Sequence, residues 1–188
     1  MNNSKNVLLF QEQLLAVNGE FISLDENQKV SSLVKEFITS NSIKSIVLSD
    51  FSQHQDLVEA LEEDTEILAD FGSRSYPLDE AGNLCAKADA GITDVYAIIA
   101  DTGTLVISSR NRGDRLCSSL PPIHLALIGN SKVYLNFEEF IENTPKEHTY
   151  ALITGPSRTA DIEKKLILGA HGPKRVVVFY SEGNAGCT

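Results

Sequence analysis

Basic residues are scarce in this chain. Lys and Arg number 16 against 26 Asp and Glu, a formal net charge of -10 at pH 7, and the isoelectric point is near 4.8. So acidic a chain has no general affinity for nucleic acid, and it can hold an anion only where Arg side chains or backbone amides are placed for it. Cysteine is as sparse. Cys85, Cys117 and Cys187 are odd in number and lack CxxC spacing, which argues against a disulfide framework, a structural zinc site or a self-contained iron–sulfur cluster. They read as two small core side chains and one tail residue. Apolar runs are short. None approaches the ~20 residues of a membrane span, and Val7 to Phe10 is too brief for the core of a signal peptide, so a cytoplasmic location is expected. There is no GxGxxG after a first strand, no GxxxxGK[ST], and no haem, flavin or iron–sulfur motif. The scattered His and Cys give no local metal spacing, so no metal site is assigned and no cofactor can be named.

What is present is an ordinary apolar share: 42% of 188 residues, with a mean hydropathy of -0.09. That suffices for one sizeable core. The expected organisation is a single domain over 1–180, with an N-terminal helix within 1–19 and a flexible tail over 181–188. Apolar spacing predicts that helix over 5–17, stopped by Asn18-Gly19. A strand follows over 20–24, and then a helix capped by Asp25 and running to Ser40. KSIVL (44–48) reads as a strand, 52–62 as a helix and 66–69 as a strand. That alternation predicts an α/β domain. Residues 78–90 read as a helix with Gly91 as its left-handed stop. Strands at 93–100 and 105–108 are joined only by Asp101-Thr102-Gly103-Thr104, too short for a crossover, so they form a hairpin and the mostly parallel sheet is mixed. A polar, helical connection over 111–120 ends at Pro121-Pro122, and a strand follows over 123–128. The pattern closes with a helix over 136–143, a strand over 150–154, a helix over 159–168, a turn over 169–173 and a strand over 175–180.

Two polar stretches carry the candidate chemistry. ADTGT (100–104) places Asp101, Thr102, Gly103 and Thr104 where a strand leaves an apolar core, the kind of position where α/β sheets bind ligands. Asp101 is the candidate acid or base. TGPSRTADIE (154–163) places Gly155, Ser157, Arg158, Thr159 and Asp161 at a turn before a predicted helix. Free amides and the positive end of a helix dipole would suit an anion there, and Arg158 would add a two-pronged donor. Arg110, Arg112, Asp114 and Arg115 form a charged run after the hairpin, and Arg115 is the arginine best placed to fold over the same pocket. His124, inside an apolar strand, reads as a core residue. His171, between glycines in GAHGP, reads as a residue that faces a ligand. Each of these also has a structural reading, as a hairpin glycine, a capped helix or a solvated face. The ligand expected of the pocket is a small anion.

ADTGTLVISS, RL-SSLPPIHLALI and ITGPSRTADIEKKLILGAHGPKRVVVF also resemble, in order and spacing, the lactate-utilization protein C group of the LUD-domain family. The match covers about Gly91 to Phe179. The resemblance implies a three-layer α/β/α fold like that of ribose-5-phosphate isomerase and CoA transferases. It implies a non-redox role in a bacterial system that oxidises L-lactate to pyruvate, beside partner proteins that carry iron–sulfur clusters. The family motif is ETGT, whereas this chain has Asp101 in place of the Glu, which sets the carboxylate back by one methylene. An alternative is a stand-alone enzyme of the same fold acting on a phosphate- or carboxylate-bearing small molecule, with Asp101 as acid, base or nucleophile and Arg158 and Arg115 as the clamp.

Overall fold

The computed structural model describes residues 3–25, 28–51, 55–109, 112–129, 131–146, 149–160, 166–168 and 172–181. Six helices are described: α1 (Asn3–Ala16), α2 (Val30–Ser40), α3 (Gln55–Glu62), α4 (Leu78–Lys87), α5 (Arg112–Ser119) and α6 (Phe137–Asn143). The first six strands are β1 (Glu20–Ser23), β2 (Ser45–Leu48), β3 (Glu66–Asp70), β4 (Ala90–Asp94), β5 (Ala97–Ile99) and β6 (Thr104–Ser108). The other six are β7 (Ile123–Ile128), β8 (Lys132–Tyr134), β9 (Tyr150–Ile153), β10 (Arg158–Ala160), β11 (Leu166–Leu168) and β12 (Arg175–Tyr180).

Strands β1, β12, β7, β4, β2 and β3 form a six-stranded sheet in that order. Every pairing in it is parallel. Such a sheet must be covered on both faces, and period-two alternation along its strands divides the core accordingly. On one face Ile46, Leu48, Ile92, Leu125, Val177 and Phe179 pack against Val34, Ile38, Leu57 and Leu61 of α2 and α3. On the other, Ala126, Val176 and Val178 meet Val7, Phe10 and Leu14 of α1 together with Ile98, Leu105 and Ile107. Further along that face, Val47 and Ala69 lie under α4 and α5, which supply Ala81, Cys85 and Cys117. The expected layered α/β arrangement with a mostly parallel sheet is the one observed.

The antiparallel pairing belongs to a second sheet, of order β8-β5-β6-β9. The run 93–100 is divided between the two sheets: the Val95 amide bonds Leu127 in the large sheet and the Tyr96 amide bonds Val106 in the small one. Helix α6 closes the outer face of the small sheet, where Phe140 stacks with Tyr134 and Tyr150 at centroid separations of 5.6 and 5.5 Å.

Three local expectations need correction. Lys29, not Asp25, is the N-cap of the second helix. Where a helix was expected over 159–168, residues 158–160 and 166–168 are the antiparallel strands β10 and β11. Gly91 is no left-handed stop, because α4 ends at Lys87 with Ala88 extended and Gly91 lies inside β4. Its role is close approach: a Cβ there would overlap the carbonyl oxygen of Cys117 at the end of α5. Gly91→Ala should therefore force α5 off the sheet and cost at least about 2 kcal/mol, read as a lower urea midpoint at unchanged slope.

Candidate functional site

The candidate residues gather around the end of α1. That helix stops in a Schellman turn, with Asn18 left-handed at φ 65° and amide bonds from Gly19 to the Leu14 carbonyl (2.9 Å) and from Asn18 to Leu15 (3.0 Å). Two glycines are pressed against this turn. Gly103, at φ 64°, caps the 3-10 turn Ala100–Thr102, and a Cβ on it would lie 2.7 Å from the Gln13 carbonyl carbon. Gly155, at φ 75°, would meet the Val17 carbonyl oxygen at 2.9 Å. Both positions need the left-handed backbone and the missing side chain.

Seating both glycines on α1 brings the two polar stretches together. Thr102 Oγ1 and Thr104 Oγ1 share a 2.8 Å hydrogen bond, and Thr104 Oγ1 and Thr154 Oγ1 share one of 2.7 Å. Thr104 is buried, whereas Thr102 and Thr154 are exposed. Three hydroxyl hydrogens serve two bonds within this chain, so one of the three hydroxyls keeps a hydrogen that these bonds do not use. The Ser157 amide bonds the Pro173 carbonyl at 2.9 Å, and Gly172 lies against the Ser157 side chain, so the loop after β9 also meets the loop before β12. Asp101 is exposed, and its amide is fixed to the Leu135 carbonyl at 3.0 Å.

Arg158 is engaged otherwise than expected. Its Nη2 donates to the Val17 carbonyl, so the guanidinium helps to satisfy the C-terminal end of α1. Among the described residues it is followed by strand rather than helix, so β10 offers no helix dipole for the anion. Arg115 is exposed on α5, a helix whose start packs Gly113 on Phe71, just past the carboxyl end of β3. The threonine junction lies at the opposite edge, where β1 begins beside the end of α1. It is therefore not at the carboxyl ends of the parallel strands. The strand order reverses between β2 and β4, so the crevice favoured in such sheets falls at Ser49 and Asp94 instead. Arg110, Asp161, His171 and the 182–188 part of the tail lie outside the described residues, as do the side chains of Arg112 and Thr159.

Thr154 and the α1 turn were missed from the sequence, although one signal was available in the repeated Thr-Gly dipeptide at 102–103 and 154–155. A depression of about 230 Å³ at the start of α2, lined by Gln28, Lys29, Ser32, Leu33 and Glu36, contains none of the candidates. Among the described residues no group of three or more His, Cys, Asp or Glu could hold a metal, and no helix is long and apolar enough to cross a membrane.

Residues 7–179 match the model of the LUD domain. The chain belongs to the LUD-domain family. This LUD domain is 27% identical over 176 residues to a lactate utilization protein C of Shouchella clausii, covering 89% of the chain and 75% of the relative. A lactate utilization protein C of Geobacillus is 35% identical over 97 residues, covering 47% of the chain and 40% of the relative. An uncharacterized protein of Neisseria meningitidis is 40% identical over 97 residues, covering 48% and 41%. In several of these alignments the chain thus spans less than half the relative's length. A crystal structure of a DUF162 family protein from Deinococcus radiodurans shares the fold, with TM-score 0.64 at 15% identity over 95% of this chain and 98% of that one.

His124 is wholly buried in β7 of this LUD domain, as expected of a core residue. Its Nε2 shares a 2.8 Å hydrogen bond with Thr93 Oγ1, and Nδ1 has no hydrogen-bond partner among the described residues. Burial pushes its pKa down to about 3 from the ordinary 6.5. Below pH 6.5 the unfolded chain binds a proton that the folded chain refuses, so stability should fall as pH drops from about 6.5 towards 3. The slope should approach ~1.4 kcal/mol per pH unit from this group. Comparing wild type with His124→Gln in urea melts across that range isolates the slope, which the variant should lack.

Proposed function

We propose that this chain acts in lactate utilization, as a non-redox component that binds a small carboxylate at the junction of residues 101–104 with 154–158. Support comes first from family: a relative named lactate utilization protein C aligns with 89% of the chain. Within the site, support comes from the hydroxyl chain Thr102–Thr104–Thr154, whose two end residues are exposed and whose two bonds use only two of its three hydrogens. Lactate carries two kinds of acceptor oxygen, carboxylate and hydroxyl, and both can pair with a hydroxyl donor. Asp101 beside Thr102 is the group assigned to exchange a proton with the ligand. Thr159, Asp161 and His171 are proposed as further ligand contacts on the strength of the sequence pattern, Arg115 is set aside because α5 lies at the other edge of the sheet, and Gly103, Gly155 and Ser157 supply the backbone frame. Arg158 acts by holding the α1 turn.

The resemblance to the lactate-utilization group implies that electrons from lactate would pass to partner proteins carrying iron–sulfur clusters; the spacing of Cys85, Cys117 and Cys187 in this chain matches no cluster motif. A strain deleted for this gene should grow poorly on L-lactate and normally on pyruvate. Wild-type complementation should restore growth, and Thr104→Val at equal protein level should not. Unimpaired growth of the deletion strain on L-lactate would exclude the role. With purified protein, L-lactate should raise the melting temperature of wild type but not of Thr104→Val.

A further inference from the structure

The cysteines that looked like independent core residues meet each other. Cys85 on α4 and Cys117 on α5 are both fully buried, in a cluster with Val47, Ala69, Phe71, Ala81 and Ala88. Helices α4 and α5 are in contact, and each cysteine side chain perturbs the ionisation of the other. Cys117 has little freedom to turn away, because its own carbonyl is packed on Gly91 and the start of its helix is packed on Phe71 through Gly113. We propose that Cys85 and Cys117 are a reversible disulfide-forming pair, oxidised by hydroperoxides, whose bond fastens α4 to α5.

The two sulfurs have different chemical roles. The Cys117 side chain stabilises the thiolate of Cys85 and holds its pKa below the ordinary value. Burial, followed by the Cys85 side chain and the nearby Asp114 and Asp70 carboxylates, pushes the Cys117 thiol well up. Cys85 is therefore the attacking sulfur and Cys117 the resolving thiol. Cys85 thiolate displaces one oxygen of hydrogen peroxide: the O–O bond breaks, a sulfenic acid forms, and the hydroxide released takes a proton to become water. Cys117 then attacks the sulfenic sulfur, the S–O bond breaks, and the departing hydroxide leaves as water with the Cys117 proton. In sum two thiols lose two electrons, and one peroxide becomes two waters. Because both sulfurs are enclosed, the reaction proceeds through local opening of the α4–α5 layer and is slower than at a surface thiol. Once formed, the bond fixes α5, the helix that carries Arg115, against its neighbour.

The test uses the full chain carrying Cys187→Ser, so that two thiols remain. After hydrogen peroxide, then denaturation and alkylation, intact mass should fall by about 2 Da relative to the reduced chain, with no alkylation. Peptide mapping should give one Cys85–Cys117 cross-linked species that dithiothreitol abolishes. The oxidised form should melt several degrees above the reduced form. In Cys117→Ser the reaction should stop at Cys85, with a sulfenic acid trappable by dimedone. Two alkylatable thiols after peroxide, or a gain of about 16 or 32 Da without the cross-link, would overturn the proposal. Peptide mapping of wild type decides the matter should a variant fail to fold.

Discussion

The end of α1 is the point on which the candidate site depends. Its last turn is closed by the left-handed Asn18 and the 2.9 Å bond from the Gly19 amide to the Leu14 carbonyl. The surface around that turn leaves no room for a Cβ: Gly103, just before β6, meets the backbone of Gln13 and Leu14, and Gly155, just after β9 of the same small sheet, meets the side chain and carbonyl of Val17. With both seated, Thr104 and Thr154 are within 2.7 Å of each other. The buried stripe Val7, Phe10 and Leu14 holds α1 against the large sheet at the same time. One helix thus couples the packing of the core to the placement of a polar surface cluster.

The electrostatics follow from the same arrangement. A helix C-terminus presents free carbonyls and the negative end of its dipole, and Arg158 spends its guanidinium there, on Val17. The polar side chains left at the junction are neutral hydroxyls rather than a charged fork, and the amides of Asp101, Gly103 and Ser157 are bonded within the chain.

Much of the large sheet was legible in the sequence, because buried parallel strands announce themselves as unbroken runs such as IVL at 46–48 and VVVF at 176–179. The stop at Asn18-Gly19 was legible for the same local reason that makes it work. The run 93–100 was not divisible by pattern: from Val95 to Ala100 it is unbroken by a charge or turn residue, and the change of partner between Val95 and Tyr96 is set by which sheet each amide meets. Residues 158–168 have apolar positions that fit a helix, yet the described ends pair as Arg158 with Leu168 and Ala160 with Leu166, so tertiary pairing prevailed over a short helix of marginal stability. Gly91 was misread because a glycine after a helical run reads as a stop, whereas its purpose is contact with a helix later in the chain. The meeting of 102–104 with 154 is likewise invisible to spacing, since it depends on a third segment.

The claim that these two stretches form one unit is tested most directly by a double-mutant cycle on Thr104 and Thr154. Each threonine is changed to valine singly and together, and unfolding free energies are taken from urea melts. The 2.7 Å hydrogen bond predicts that the two losses are not additive, with a coupling of at least about 0.5 kcal/mol favouring the pair. Losses that add to within about 0.3 kcal/mol would contradict it.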